Sequence, residues 1–216
     1  MFTGIIEEIG KITQLQRGTH SATLHIQAKV VLEQLKIGDS VAVDGVCLTA
    51  TSIDAHGFTA DVMHETLNRS SLSQAGCGSF VNLERAMPAT GRFNGHIVAG
   101  HVDDIGKTVH IQRDDTAIWY TIQASEQVMH YIVEKGSITI DGISLTVASL
   151  STDSFRVSVI PHTAHVTTLG MCKTGDIVNL ENDILGKYIE KLLTPAAPPP
   201  QPQNKLSREW LAKYGY

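Results

Sequence analysis

The 216-residue chain carries the same pattern twice. Val43-Asp44-Gly45-Val46-Cys47-Leu48-Thr49 returns as Ile140-Asp141-Gly142-Ile143-Ser144-Leu145-Thr146, an offset of 97 residues (140 − 43). Val81-Asn82-Leu83-Glu84 returns as Val178-Asn179-Leu180-Glu181 at the same offset (178 − 81). Gly4-Ile5-Ile6-Glu7-Glu8-Ile9-Gly10-Lys11 lies over Gly100-His101-Val102-Asp103-Asp104-Ile105-Gly106-Lys107 with one residue of slippage (100 − 4 = 96). Solenoid repeats run to roughly 20–50 residues, so a period this long indicates two copies of a whole domain. The expected division is residues 1–96, residues 97–182, a helix over 183–194, and a Pro-rich linker and tail over 195–216.

Inside each copy the apolar residues alternate, as in Ala22, Leu24 and Ile26 or Val41 and Val43. That is the period of half-buried strands. Gly38-Asp39, Asp44-Gly45, His56-Gly57, Gly136-Ser137 and Asp141-Gly142 mark tight connections between them. About six short strands per copy suit a small closed barrel, which leaves no unpaired edge. A β-sandwich fits the alternation equally well. After the second copy the period changes: Ile184, Leu185, Tyr188, Ile189, Leu192 and Leu193 share one helical face, with Asn182 or Asp183 available as N-cap. A single short helix with an exposed apolar stripe is poorly stable in water, so association between copies of the chain is its natural use. Pro195 ends it, and Pro198-Pro199-Pro200-Gln201-Pro202 reads as an extended linker.

Several function classes drop out. A formal net charge of −5, with the basic residues scattered, offers no footprint for a nucleic-acid backbone. No apolar run reaches the roughly 18 residues of a membrane span. The start carries Glu7 and Glu8 and no basic n-region, so a cytoplasmic location is expected. Cys47, Cys77 and Cys172 form no Cys-x-x-Cys pair and are expected as reduced thiols. Dinucleotide, P-loop and Gly-x-Ser-x-Gly signatures are missing. His162-x-x-His165 and the spacing from His96 to His101 do not share a helical face, so no metal is expected.

Reactive residue types gather at Cys47, at Ser144, at His101 and in Ile160-Pro161-His162-Thr163. Each has a structural reading. Cys47 could be a small apolar filler, His101 a satisfied structural histidine, and Ser144 a partner of its own backbone beside the Asp-Gly turn. The offset nevertheless separates scaffold from chemistry. Gly4/Gly100, Thr49/Thr146 and Thr66/Thr163 are shared between the copies, whereas Cys47 faces Ser144, Ile5 faces His101 and Glu65 faces His162. Two related pockets with unlike reactive groups suit two related ligands in unlike roles.

Taken together, the opening Met1-Phe2-Thr3-Gly4-Ile5-Ile6-Glu7, the paired Gly45-Val46-Cys47-Leu48-Thr49 and Gly142-Ile143-Ser144-Leu145-Thr146, and Gly95-His96 with Gly100-His101-Val102 resemble riboflavin synthases from residue 1 to about 193. The resemblance implies an all-β fold of two tandem six-stranded Greek-key β-barrels, each lumazine-binding, followed by a trimerisation helix. It implies a homotrimer with active sites between the N-terminal barrel of one subunit and the C-terminal barrel of a neighbour. The implied reaction moves a four-carbon unit between two 6,7-dimethyl-8-ribityllumazine molecules, giving riboflavin and 5-amino-6-ribitylaminouracil, with no cofactor. Lumazine synthase is a partner that the resemblance admits.

By the same resemblance His101 is the first choice for proton transfer, assisted by Ser144, Thr146 and Cys47. Phe2 would cover the site. The ligand edges would be read in the N-terminal barrel by Gly4, Ile5 and Ile6, by Cys47, Leu48 and Thr49, and by Asp61, Val62, Met63, His64, Glu65 and Thr66. The C-terminal counterparts would be Gly100, His101 and Val102, Lys135, Ser144, Leu145 and Thr146, and Ile160, Pro161, His162, Thr163, Ala164 and His165. His64, Glu65 and His162 fall where the family varies. The alternative is a lumazine- or flavin-binding protein on the same scaffold that does no chemistry. It would be expected to lose the reactive residues of one copy, and both copies keep theirs.

Overall fold

A computed structural model describes residues 1–19, 21–194 and 212–214. The linker and tail assigned to 195–216 therefore fall outside the described residues, apart from 212–214. The first copy forms β1 (Glu8–Arg17), β2 (Ser21–Gln27), β3 (Ser40–Val43), β4 (Val46–Ile53), β5 (Gly57–Met63), the short helix α1 (His64–Asn68) and β6 (Phe80–Arg85). The second forms β7 (Asp104–Asp114), β8 (Ala117–Gln123), α2 (Glu126–Met129), β9 (Ser137–Ile140), β10 (Ile143–Leu150), β11 (Ser154–Val159), α3 (Pro161–Val166) and β12 (Ile177–Asn182). Helix α4 (Ile184–Leu193) follows. No helix among the described residues is long and apolar enough to cross a membrane.

Each copy closes into an antiparallel barrel. The strand order is β1-β2-β5-β4-β3-β6, with β6 returning to β1, and β7 through β12 repeat it. β2 pairs with β5, and β3 with β6, over Greek-key connections. This closure decides between the barrel and the sandwich, which alternation alone leaves open. The inward residues of β2 are Ala22, Leu24 and Ile26, and those of β8 are Tyr120 and Ile122. Fully burying a Leu, Ile or Phe here contributes about 1.5–3 kcal/mol each. Strand bulges recur at equivalent places, after Ile12 and Thr108 and after Ala50 and Val147.

The repeated blocks explain how the two barrels meet. Asp44-Gly45 and Asp141-Gly142 make two-residue turns with positive φ at both positions (47° and 79°, 46° and 78°), as a type I′ hairpin requires. The two turns touch tip to tip. A Cβ on either glycine would fall 2.7 Å from the other's backbone nitrogen. In Val-Asn-Leu-Glu, the Val and Leu enter a barrel core, the Asn points outward into the other copy, and the Glu turns to the segment that leads into its own copy. Asn82 Nδ2 donates to Asp141 O (3.0 Å), and Asn179 Nδ2 donates to Asp44 O (2.8 Å). Their Oδ1 atoms accept from Thr168 N–H (2.8 Å) and Ser71 N–H (2.7 Å).

Helix α4 is capped by Asp183, whose carboxylate accepts from Leu185 N–H (3.0 Å). Its polar side docks on the second barrel. Glu190 accepts from His130 Nε2 (3.0 Å) and Tyr131 Oη, and Lys187 pairs with Asp103. Leu185, Tyr188, Ile189, Leu192 and Leu193 remain exposed, Leu192 by 82%.

Candidate functional site

The segment leading into each barrel crosses to the other one. Gly4 O accepts from Ser144 N–H (2.8 Å) on the second barrel, and Gly100 O accepts from Cys47 N–H (2.8 Å) on the first. Ile6 packs on the second barrel's core, and Val102 on the first's. Phe2 and Val98 bridge the two crossing segments. Glycine is required at both crossings. With φ of +77° and +80°, a Cβ at Gly4 would lie 2.6 Å from Ser144 Cβ, and one at Gly100 would lie 2.7 Å from Cys47 Cβ.

Two buried carboxylates hold these segments in place. Glu84 accepts from Thr3 N–H (2.7 Å), Thr3 Oγ1 (2.9 Å) and Gly4 N–H (2.9 Å). Glu181 accepts from Ala99 N–H (2.7 Å), Gly100 N–H (3.0 Å) and His101 N–H (3.1 Å). Burial pushes the Glu181 carboxyl up to about 7, although the bonds from Ala99 and Gly100 act the other way. Burial likewise raises Glu84, raises Asp141 to about 7, and lifts Asp44 well above the usual carboxylate range with help from the charge of Asp141.

A raised carboxyl binds more protons folded than unfolded between its two values, so its contribution to stability is present at low pH and is lost as pH rises. Glu181→Gln removes this ionisation and turns an amide N–H₂ toward backbone donors, a cost of about 1–3 kcal/mol. In denaturant titrations the gap between wild type and variant is expected to narrow from pH 4.5 to about 7 and to stay constant above it. A gap that widens with pH would contradict the assignment.

The crossing yields two unlike half-sites. On the outer face of the second barrel stand Ser144, Gly4, Ile5 and His96, with Ser144 Oγ and His96 Nδ1 2.7 Å apart. Gly95, at φ +64°, turns the chain so closely that a Cβ would meet Thr3 O at 2.1 Å and Ser144 Oγ at 3.1 Å. His96 is 7% exposed, burial lowers its pKa, and its Nε2 has no partner among the described residues. A neutral imidazole beside a hydroxyl is a base–nucleophile pair. On the first barrel stand Cys47, Thr49, His101 and the outward residues of β5 and α1. The His101 ring is exposed and unpartnered among the described residues. Asp61 Oδ1 accepts from Thr23 Oγ1 (2.7 Å).

Several expectations change. Gly4, Ile5 and Ile6 sit with Ser144 rather than with Cys47, and Gly100, His101 and Val102 sit with Cys47 rather than with Ser144. The reason is the crossing of the two segments. The histidine at Ser144 is His96, which lies outside the repeat, and not His101. Phe2, expected to cover the site, is 0% exposed and packs against Cys47 together with Ala42 and Val98. Leu48, Val62 and Leu145 point into the barrel cores, as period two demands of strand neighbours of outward residues, and Ala164 of α3 packs on the second core.

The remaining candidates are on the surface. Thr49, Asp61, Met63 and Glu65 are exposed on the first barrel, with His64 and Thr66 half-buried. Thr146, Lys135, Ile160, Pro161, His162 and His165 are exposed on the second, with Thr163 half-buried. Glu84 and Glu181, which repeat at the offset and hold the crossing segments, are not among the residues that the sequence singles out. A cleft of about 520 Å³ borders the second half-site, lined by Thr3, Ile5, Glu84 and Arg92, and one of about 450 Å³ lies beside Phe80 and Met171; neither is lined by Cys47, His101 or Ser144. Ile5 in one half-site and Thr49 and His101 in the other are exposed to solvent. No three metal-ligating side chains converge among the described residues.

The lumazine binding domain family matches the chain twice, over residues 3–86 and 99–183. A riboflavin synthase of Actinobacillus pleuropneumoniae is 54% identical over the full length of both chains, and one of Bacillus subtilis is 41% identical over the same extent. One of Mycobacterium tuberculosis is 48% identical, covering 91% of this chain and all of its own. Crystal structures of LumP, complexed with riboflavin and with 6,7-dimethyl-8-(1'-D-ribityl) lumazine, share the fold with TM-scores of 0.78 and 0.77. They are 22% and 21% identical, and each match covers 84% of this chain and 99% of that one.

Proposed function

The chain belongs to the riboflavin synthase family of lumazine-binding proteins, and from that membership we propose that two copies of it jointly hold two 6,7-dimethyl-8-ribityllumazine molecules face to face, one on each kind of half-site. The enzyme converts them into riboflavin and 5-amino-6-ribitylaminouracil. Four carbons pass from one molecule to the other, and the products balance the substrates without an external oxidant or reductant. Holding two reactants in register supplies roughly 7–11 kcal/mol of a barrier.

The observation that carries this reading is the contact between His96 and Ser144 on a face whose repeat mate presents Cys47 and His101 instead. The chemistry asks for unlike groups. One lumazine gives up a proton from its acidified 7-methyl group, while the ring carbon bearing the methyl group of the other is attacked. Ser144, deprotonated by the neutral His96, supplies or activates the nucleophile at one ring. His101 takes up the proton at the other, near Cys47 and Thr49. Lys135, Thr146 and the exposed edge from Ile160 to His165 bind the ligand of the second barrel, and Asp61 to Thr66 bind that of the first.

Half-sites exposed to solvent at Ile5, Thr49 and His101 need a partner, and α4 offers the means. Its polar side is already used on its own barrel, so the exposed Leu185, Tyr188, Ile189, Leu192 and Leu193 face a second copy. A homotrimer places each first barrel against a neighbour's second barrel in a closed ring. Ile189→Glu is expected to convert trimers into monomers in light-scattering measurements and to abolish activity with them. The reaction itself is tested by incubating the protein with 6,7-dimethyl-8-ribityllumazine alone and following riboflavin by absorbance. Steady release supports the reading, and binding without turnover would defeat it.

A further inference from the structure

The crossing segments are anchored at equivalent carboxylates, two residues beyond Ile5 and His101. Glu7 N–H donates to Leu83 O (2.9 Å) and Asp103 N–H to Leu180 O (2.8 Å). Glu7 Oε1 accepts from Arg85 N–H (2.7 Å), and Asp103 Oδ2 accepts from Asn182 N–H (2.8 Å). The backbone arrangement is therefore the same in both repeats.

The cation is not. In the first repeat it is Arg85 of β6, whose Nε lies 2.9 Å from Glu7 Oε2. The position 97 residues on is Asn182, which carries no charge. Asn182 is 2% exposed, and its Oδ1 has no partner among the described residues. The missing cation arrives from outside the repeat. Lys187 of α4 donates to both oxygens of Asp103 (2.5 and 2.6 Å). The side chains of this pair are 25% and 22% exposed, close to the 30% and 24% of Arg85 and Glu7. Removing one partner of a partly buried pair leaves the other charge uncompensated, which costs more than it does at the surface. The positive charge of Lys187 also favours the ionised form of Glu181, the carboxylate that holds His101 N–H.

We propose that Lys187 is a positioning residue for the reaction: by anchoring Asp103 it fixes the backbone that carries His101, so the helix assigned to assembly also sets the geometry of the first half-site. This rests on the proposed function, because His101 acts only if the chain makes riboflavin. A dissociated or frayed α4 then costs the site its alignment as well as its neighbour.

The test compares full-length wild type with Lys187→Ala, Lys187→Arg and the double variant Asn182→Arg/Lys187→Ala, which copies the first repeat's arrangement. Turnover of 6,7-dimethyl-8-ribityllumazine is measured at a protein concentration where each sediments as wild type does. Lys187→Ala is expected to lower kcat about 10- to 100-fold with KM within about twofold, since small misplacements of a reacting group cost that much. Lys187→Arg or the double variant is expected to recover most of it. An active wild type with unchanged kcat in Lys187→Ala would overturn the inference. So would a loss in the assembled enzyme that neither arginine reverses, or a loss seen only on dissociation. A wild type that makes no riboflavin would instead overturn the functional reading, and the inference with it.

Discussion

Ser144→Ala is expected to lower kcat by about 10²–10⁴-fold with little change in KM, and His96→Ala by a similar factor. The Ser144 hydroxyl is a weak nucleophile alone, and the only base that touches it among the described residues is the His96 ring, 2.7 Å away. Burial keeps that ring neutral near pH 7, ready to take the hydroxyl proton. Because the two act as one unit, the double variant should be no worse than either single one. Factors that multiply would show that they serve separate steps. His101→Ala should also lose turnover, but in the other half-site, so its effect is expected to multiply with that of Ser144→Ala. Steady-state kinetics on the three single variants and the two double variants check all of this.

Gly142→Val is expected to prevent folding. Its φ of +78° already strains any side chain by about 1–2 kcal/mol. Its Cβ would also stand 2.7 Å from Gly45 N and 2.9 Å from Gly45 Cα, atoms of a backbone that is itself pinned by Asn82 and Asn179. A domain has only about 5–15 kcal/mol in hand. Gly78, at φ +98° with nothing within 4 Å of an added Cβ, provides the control, because Gly78→Ala carries the strain without the clash. Denaturant unfolding should show Gly78→Ala folded and about 1–2 kcal/mol weaker. Gly142→Val should give no cooperative transition, and a well-folded Gly142→Val would contradict the tip-to-tip contact.

Much of the architecture was legible because it leaves periodic traces. The offset of 97 residues, the alternation through β2 and the Asp-Gly turns led to two copies of a short-stranded β domain, with barrel and sandwich separated only by the family resemblance, and the stripe from Ile184 to Leu193 led to α4 with Asn182 or Asp183 as its cap, of which the structure uses Asp183. The exchange of the two leading segments was hidden. It rests on backbone bonds from Ser144 to Gly4 O and from Cys47 to Gly100 O, which any residue type makes, so no side chain announces it. His96 was hard to choose because it lies between the copies and has no repeat mate to contrast with. Glu84 and Glu181 were visible as a repeated pair, yet their partners are N–H groups of the crossing segments. The burial of Phe2 was not legible because a lone aromatic carries no period; its 0% exposure comes from a cluster that both copies build.

The most direct test of a site shared between copies is complementation. His101→Ala damages the first half-site and leaves the second, whereas Ser144→Ala does the reverse. The two inactive proteins are to be mixed in equal amounts, dissociated, reassembled and assayed for riboflavin. If each site joins the first barrel of one copy to the second barrel of the next, random mixing leaves about a quarter of the sites with both halves intact, and about a quarter of wild-type activity should return. Activity that stays at the level of the separate variants would place each site within a single chain.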